Sequence, residues 1–305
     1  MDWAGTAGSG RAFYRITTTG NRRCILMVWN PHDPDWDFFL ALHETNAITE
    51  FSPALLGYDR PLGVLLVADG GARRLKDILF SYENEAERLA LLKDTFALLH
   101  RWHTKMPRDG VLGSRAFTTE YFLWESSYCK THCTELFPHL RPIFNVEWDT
   151  ECAQLAQKAA SHEPVLVHRD LQSENILVQD GEITFVDIQG ARLGPAYYDV
   201  ASLLYDPYIA PVYTETLRIS LKEYLRQCYP RFSEELFAVC AMQRLLQALG
   251  AYANLYQNKQ KHWYAAYIYP AAMQLEKICE EKGYSAIAAA MRALSLECTA
   301  FLTKK

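Results

Sequence analysis

One run of polar residues, His168-Arg169-Asp170-Leu171-Gln172-Ser173-Glu174-Asn175, lies between the apolar stretches Val165-Leu166-Val167 and Ile176-Leu177-Val178. A second carboxylate, Asp187, ends the next apolar stretch, 183–186. An Asp early in a loop, an Asn at a strand start and an Asp at the following strand end form the set that phosphoryl transfer needs. One carboxylate meets the attacking hydroxyl, while an amide oxygen and another carboxylate hold Mg²⁺ against a triphosphate. Oxygen ligands suit Mg²⁺, which keeps waters and takes phosphate oxygens for the rest. Asp170 is therefore the candidate catalytic base, and Asn175 and Asp187 are the candidate metal ligands. His168 is expected to pin the loop by hydrogen-bonding backbone. Arg169 is expected on a phosphate or substrate, or on a surface acid.

The flanking elements must bring these groups to one edge. Asp180-Gly181 is a strong hairpin signal, because Gly takes a positive φ cheaply, so strands on either side would return Asp187 to Asn175. Short β-branched or aromatic runs at 13–18, 24–29 and 63–68 predict strands, with a helix over 37–47. Gly70-Gly71 marks the best boundary, because 83–103 then carries apolar residues at helical spacing. Residues 107–150 show no clean period and read as helix pieces and loops. From 213 onward the pattern is helical, with 234–256 the clearest element. The stretch around His32, Asp33, Asp35 and Asp37 carries Pro31 and Pro34 and reads as a solvated loop.

The chain has 305 residues, half of them apolar and 22% charged, and a formal charge of −5. Such a composition folds, and its acidic balance argues against a nucleic-acid partner. The eight cysteines form no CxxC pair, and the N-terminus lacks the basic and apolar regions of a leader, so the thiols are expected to be reduced. The longest apolar stretch, 62–68, is too short for a bilayer. A soluble, cytoplasmic protein with no membrane partner is expected.

Beyond Asp187 the chain reads Ile188-Gln189-Gly190-Ala191-Arg192-Leu193-Gly194-Pro195-Ala196-Tyr197-Tyr198-Asp199, then Val200-Ala201-Ser202-Leu203-Leu204-Tyr205-Asp206. No DFG or APE appears, which disfavours a protein kinase. With HRDLQSENIL before it, this run resembles the aminoglycoside phosphotransferase/choline kinase superfamily. Within that superfamily it is similar to the anomeric sugar kinases of bacterial cell-wall recycling, which act on N-acetylmuramate and N-acetylglucosamine. Gly8-Ser9-Gly10-Arg11-Ala12-Phe13-Tyr14-Arg15 resembles their N-terminal glycine segment. Gln243 to Tyr252 resembles their C-terminal QRxLxxLGxF helix.

The resemblance implies an α+β, bilobal protein-kinase-like fold. A small antiparallel sheet lobe with one helix, 1–70, would hold nucleotide, and a larger, mainly helical lobe, 71–305, would carry catalysis and substrate. Asp170 would be the base, Asn175 and Asp187 the metal ligands, and Asp199 an acid bracing the catalytic loop. Gln189, Tyr198, Asp206 and Arg244 are candidates for a sugar pocket, with helix caps and solvated faces as the bland alternative. Gly8, Ser9 and Gly10, placed between an unstructured N-terminus and a strand, could bring backbone N–H groups to phosphate, or be a linker. The segment 24–31 lacks the strand lysine of wider kinases, so Arg11 or Arg15, two positions on one strand face, are expected to replace it. Asp69 stands at the hinge, where relatives carry a Glu-Asp pair. The expectation is an ATP- and Mg²⁺-dependent kinase acting on a small-molecule substrate, a sugar or amino sugar. The alternatives are an aminoglycoside or choline-like acceptor, or a non-catalytic nucleotide-binding protein.

Overall fold

The computed structural model describes residues 2–6 and 10–302. Five antiparallel strands open the chain: β1 (Asp2–Thr6), β2 (Ala12–Thr17), β3 (Arg23–Val28), β4 (Leu55–Asp59) and β5 (Val64–Ala68), in the order β1-β2-β3-β5-β4. One helix, α1 (Trp36–His43), lies between β3 and β4. Its buried Trp36 and Phe39 pack on Trp29, with ring centroids 5.5 and 5.8 Å apart, and so anchor the helix to the sheet. The helix is shorter than the pattern over 37–47 predicts, because the chain turns at Glu44 and re-forms a single 3₁₀ turn at Ile48–Glu50. The N-terminus is itself a strand, β1, against the unstructured start expected before Gly8-Ser9-Gly10. That strand is short and carries a bulge between Trp3 and Gly5, and short irregular pairing leaves little alternation to read.

Helices α2 (Leu75–Ser81), α3 (Glu85–Lys105), α4 (Thr119–Leu136) and α5 (Val146–Ala160) follow. Side-chain caps start three of them: Asn84 accepts from Ala86 N–H, Thr118 from Tyr121 N–H and Asn145 from Trp148 N–H. The stretch 107–150 thus holds most of one long helix and the start of another. The aromatics of α4 face both core and solvent, which erases the apolar period that would announce it.

Next come β6 (Val165–Val167), β7 (Ile176–Gln179), β8 (Glu182–Phe185) and β9 (Arg192–Gly194), with β7 paired to β8 and β6 to β9. Asp180 and Gly181, at φ 52° and 85°, make the expected tight turn. Helices α6 (Ala196–Leu204), α7 (Glu215–Cys228), α8 (Glu234–Gln257), α9 (Ala265–Lys282) and α10 (Ser285–Leu302) complete the chain. α8 is the axis of this half: almost every side chain from Phe237 to Ala253 is buried, and it packs on α4, α6 and α9. It is long and apolar enough to cross a membrane, but 83% of that window is buried among its neighbours, as a core helix requires. At Gly250 an added Cβ would lie 2.6 Å from Tyr128 Cδ1 and 2.9 Å from the Cys129 nitrogen, so α4 and α8 cross there backbone to backbone. All eight cysteines are free thiols.

Of the links that join the sheet half to the helical half, two lie at opposite ends of the junction. At the hinge, Arg15 grips Asp69 with two hydrogen bonds of 2.7 and 3.0 Å and donates a third to Gly71 O. Gly71 sits at φ 99° with Gln179 where a Cβ would go, so only glycine lets the hinge press on the β7–β8 hairpin. Across the molecule, Arg115 bonds Asp35 Oδ1 at 2.6 Å and Pro34 O at 2.7 Å, and reaches Gln189 O at 3.3 Å. Its guanidinium also lies 4.4 Å from the Phe38 ring centre.

Candidate active site

The loop between β6 and β7 is held by a buried carboxylate. Asp199, near the start of α6, accepts hydrogen bonds from the backbone N–H of His168 (2.6 Å) and of Arg169 (2.8 Å). For both N–H groups to aim at one side chain, Arg169 takes φ 80°, a left-handed conformation that costs of the order of 1–3 kcal/mol and persists only where the surroundings enforce it. The third partner of Asp199 is His103 Nε2 at 3.0 Å, from α3. A carboxylate accepts, so this nitrogen carries the proton, and Nδ1 accepts from the Tyr229 hydroxyl at 2.8 Å. His168 points its Nε2 at Val186 O, 2.9 Å away, tying the loop to the strand end before Asp187.

Asp206, a sugar-pocket candidate by sequence, is occupied by the same loop. Its Oδ2 accepts from Ser173 N–H at 2.7 Å and its Oδ1 from Tyr208 N–H at 2.9 Å, and no part of it is exposed. Burial pushes its carboxyl up to about 6, against the pull of those N–H groups. Glu174, one position before Asn175, binds Arg74 (2.6 Å) and Lys76 (2.7 Å), fastening α2 to the loop.

Asp170 projects from this braced turn with its side chain 31% exposed. Arg244 of α8 lies 3.5 Å from Oδ1 and Arg169 4.0 Å from Oδ2. Burial pushes the Asp170 carboxyl up, but Arg169 and Arg244 more than offset it and hold the group below the usual carboxylate range. Asn175 donates its amide N–H to Asp170 O at 2.9 Å, so its Oδ1 is the atom left for a ligand. Backbone pairing of Val186 N–H with Asn175 O, 2.9 Å, sets Asp187 beside it. Asp187 itself sits at φ 65°, and its Oδ1 accepts from Arg11 (2.5 Å) and from Gln189 Nε2 (2.9 Å). Two hard oxygens, Asn175 Oδ1 and Asp187 Oδ2, thus flank one edge of the cleft, a donor set that fits Mg²⁺ completed by phosphate and water.

The two small-lobe arginines part company. Arg11 is buried against the Trp29 ring, 5.1 Å from its centre, and reaches the metal-ligand candidate Asp187. Arg15 is occupied by Asp69 and Gly71 at the hinge. Gly10, at φ 83°, precedes Arg11; Gly8 and Ser9 lie outside the described residues. Beside the hinge opens a cavity of about 740 Å³ that shares Arg15, Asp69 and Gly71 but none of Asp170, Asn175 or Asp187, so it is not where the loop acts.

Behind Asp170 lies a wall that sequence reasoning only half found. Arg244 and Tyr198 belong to it, as does Arg192 of β9, whose guanidinium stacks 4.1 Å from the Tyr121 ring centre. Glu125 of α4 is wholly buried there and accepts from the Tyr198 hydroxyl at 2.8 Å. Burial raises the Glu125 carboxyl to about 7 despite the pull of Arg169, Tyr198, Arg244 and Arg192. Glu125 and Arg192 carry no motif: one sits in an aromatic-rich helix without a period, the other in a three-residue strand. Arg244 Nε is bonded to Ser202 Oγ (2.9 Å) and its Nη1 to Gln247, which hold the guanidinium toward Asp170. Buried polar atoms without a partner cluster in this region: Glu125 Oε2, Arg169 Nε, Gln189 Oε1 and Gln243 Nε2. Buried polar groups are normally satisfied, so this is where a polar small molecule would find its hydrogen bonds.

Comparison with known proteins bears on the fold and the family. A protein from Neisseria meningitidis serogroup B (strain ATCC BAA-335 / MC58), named N-acetylmuramate/N-acetylglucosamine kinase, is 27% identical over 278 residues, 87% of this chain and 81% of its own. Among solved structures, a choline/ethanolamine kinase family protein from Mesorhizobium loti superposes with a TM-score of 0.60 at 15% identity, over 96% of this chain and 93% of that one. An aminoglycoside-3'-phosphotransferase of type VIII does so with 0.55 at 14%, over 79% and 92%. The five-stranded lobe and the helical lobe are those of the protein-kinase-like fold. The family model described as "Phosphotransferase enzyme family" matches residues 5–234, and a match of that extent, over a loop built as above, places the chain in that family as a kinase.

Proposed function

We propose that this kinase transfers the γ-phosphoryl group of ATP, with Mg²⁺, to a hydroxyl of an N-acetylated amino sugar, the anomeric hydroxyl of a carboxylate-bearing one such as N-acetylmuramate. The observation that carries the acceptor class is the charge of the wall behind Asp170: three guanidinium groups, Arg169, Arg192 and Arg244, against the two carboxyls Asp170 and Glu125. A polycationic aminoglycoside would meet repulsion there, while a sugar with one carboxylate meets a net positive surface. The name of the Neisseria relative supports the sugar class.

In this reading residues 1–70 hold nucleotide and 71–305 hold acceptor and catalyst. Asp170 orients the acceptor hydroxyl and takes its proton as the oxygen bonds to the γ-phosphorus and the bond to the β–γ bridging oxygen breaks, releasing ADP. Asn175 and Asp187 hold Mg²⁺, which neutralises phosphate charge when bound. Arg11, beside Asp187, takes the place of the missing strand lysine on the phosphates, with backbone N–H groups of Gly8, Ser9 and Gly10 next to it. Arg15 and Asp69 shape the hinge at the nucleotide end. Arg169, Gln189, Tyr198 and Arg244 line the acceptor side, His168 and Asp199 brace the loop, and Asp206 caps its far end.

The test is ³¹P NMR of the wild type incubated with ATP, Mg²⁺ and either N-acetylmuramate or N-acetylglucosamine. An anomeric phosphate shows coupling to the C1 proton, and Asp170→Asn abolishes it. ATP binding with no sugar-stimulated ADP release would overturn the reading in favour of a non-catalytic nucleotide-binding protein.

A further inference from the structure

Glu125 enters the reading above only as a charge on the acceptor wall, and its protonation has no part there. It faces Tyr121 of its own helix α4, Arg169 of the loop between β6 and β7, Arg192 of β9, Tyr198 of α6 and Arg244 of α8. A buried carboxylate among arginines is usually locked onto one of them by paired hydrogen bonds. Glu125 instead accepts from the Tyr198 phenol through Oε1, and its Oε2 is buried with no hydrogen-bond partner. Its charge is therefore felt by three guanidinium groups through a poorly screened interior without being bound to any of them.

We propose that Glu125 is a positioning residue that acts through the Arg169, Arg192 and Arg244 cluster, cancelling part of its positive charge when ionised and releasing that charge to an anionic acceptor when protonated. This rests on the reading of the wall as the acceptor side. Glu125 sits near neutrality because burial raises its carboxyl to about 7, so both forms are populated at ordinary working pH. Binding and protonation are then reciprocal: an acceptor anion that prefers the protonated form must raise the Glu125 midpoint by the same factor by which protonation tightens the anion. A midpoint shift of about one unit corresponds to about tenfold in affinity.

The probe is the ¹³C carboxyl resonance of Glu125 in protein labelled at glutamate, identified by its loss in Glu125→Gln and followed against pH with and without N-acetylmuramate. The expected result is a midpoint near neutral pH that moves up by about one unit with N-acetylmuramate and stays in place with the uncharged N-acetylglucosamine. In steady-state kinetics, the KM for N-acetylmuramate rises about fivefold from pH 6 to 8, and Glu125→Gln flattens this rise while leaving the nucleotide KM unchanged. Should Glu125→Gln fold poorly, Tyr198→Phe gives a second reading, because loss of the phenol donor raises the midpoint further. A midpoint that N-acetylmuramate leaves in place overturns the proposal, whether or not the sugar is phosphorylated. If the midpoint moves while neither sugar is phosphorylated, the proposal stands and the sugar-kinase reading fails instead.

Discussion

In the proposed reaction Arg11 and Asp170 carry the chemistry most directly, Asp170 as its base, and each allows a separable measurement. Asp170→Asn keeps the shape and removes the base, so kcat should fall by about 10² to 10⁴ with the nucleotide dissociation constant little changed, read by steady-state kinetics and calorimetry. Arg11→Ala removes a charge-assisted donor beside Asp187, and the nucleotide KM should rise about ten- to a hundredfold, whereas Arg15→Ala should act on hinge geometry and stability. Equal nucleotide KM values in wild type and Arg11→Ala would remove Arg11 from the phosphate site. At this scale the loop was legible because phosphoryl transfer demands particular atoms at a particular spacing, so Asp170, Asn175 and Asp187 announce themselves as a set. Glu125, Arg192 and His103 do not, since each works through a neighbour brought to it by the tertiary fold, and nothing in the surrounding residues records that neighbour.

Among the elements, α4 and α8 show how close packing shapes a site from behind. Gly250 lets the two helices touch, which carries Glu125 of one and Arg244 of the other to the same wall. Gly250→Val forces a side chain into the Tyr128 ring and the Cys129 backbone, and should cost about 1–3 kcal/mol, seen as a melting temperature lower by several degrees together with a raised acceptor KM. Unchanged melting would mean that α4 and α8 have room to part at Gly250. Elements with a strong period or a strong turn were readable from the residues: 234–256 is α8 to within one residue, and Asp180-Gly181 is the β7–β8 turn. Those that escaped are short or two-faced. β1 and β9 are strands of five and three residues that exist through their partners, and α4 puts buried Phe122 and exposed Trp124 two positions apart within one turn.

For the whole molecule, buried acids and a buried imidazole pull stability in opposite directions as pH changes. Glu125 and Asp206 both have folded values raised above their unfolded ones, to about 7 and about 6, so the native state holds their protons more tightly than the unfolded chain does. Their contribution is complete below the unfolded carboxylate range and is lost as pH rises through about 6 to 7. Burial lowers the His43 imidazole to about 4, so its contribution runs the other way and grows as pH rises toward its unfolded value. Wild type should therefore lose roughly 3 kcal/mol relative to Glu125→Gln between pH 5 and 8, a difference read by differential scanning calorimetry of the two proteins. The bilobal plan follows from the same residues that place the catalytic loop, yet the ties between the lobes were invisible before folding, because Arg115 and Asp35 are far apart in the chain. Opening the cleft requires Arg115 to let go of Asp35 and Pro34 while keeping Gln189. Both charges are partly exposed, so dissolved ions compete for them. Turnover limited by product escape should accordingly quicken as potassium chloride is raised from low concentration, and Arg115→Ala should lose that response, making ionic strength a lever on catalysis through the clasp between the lobes.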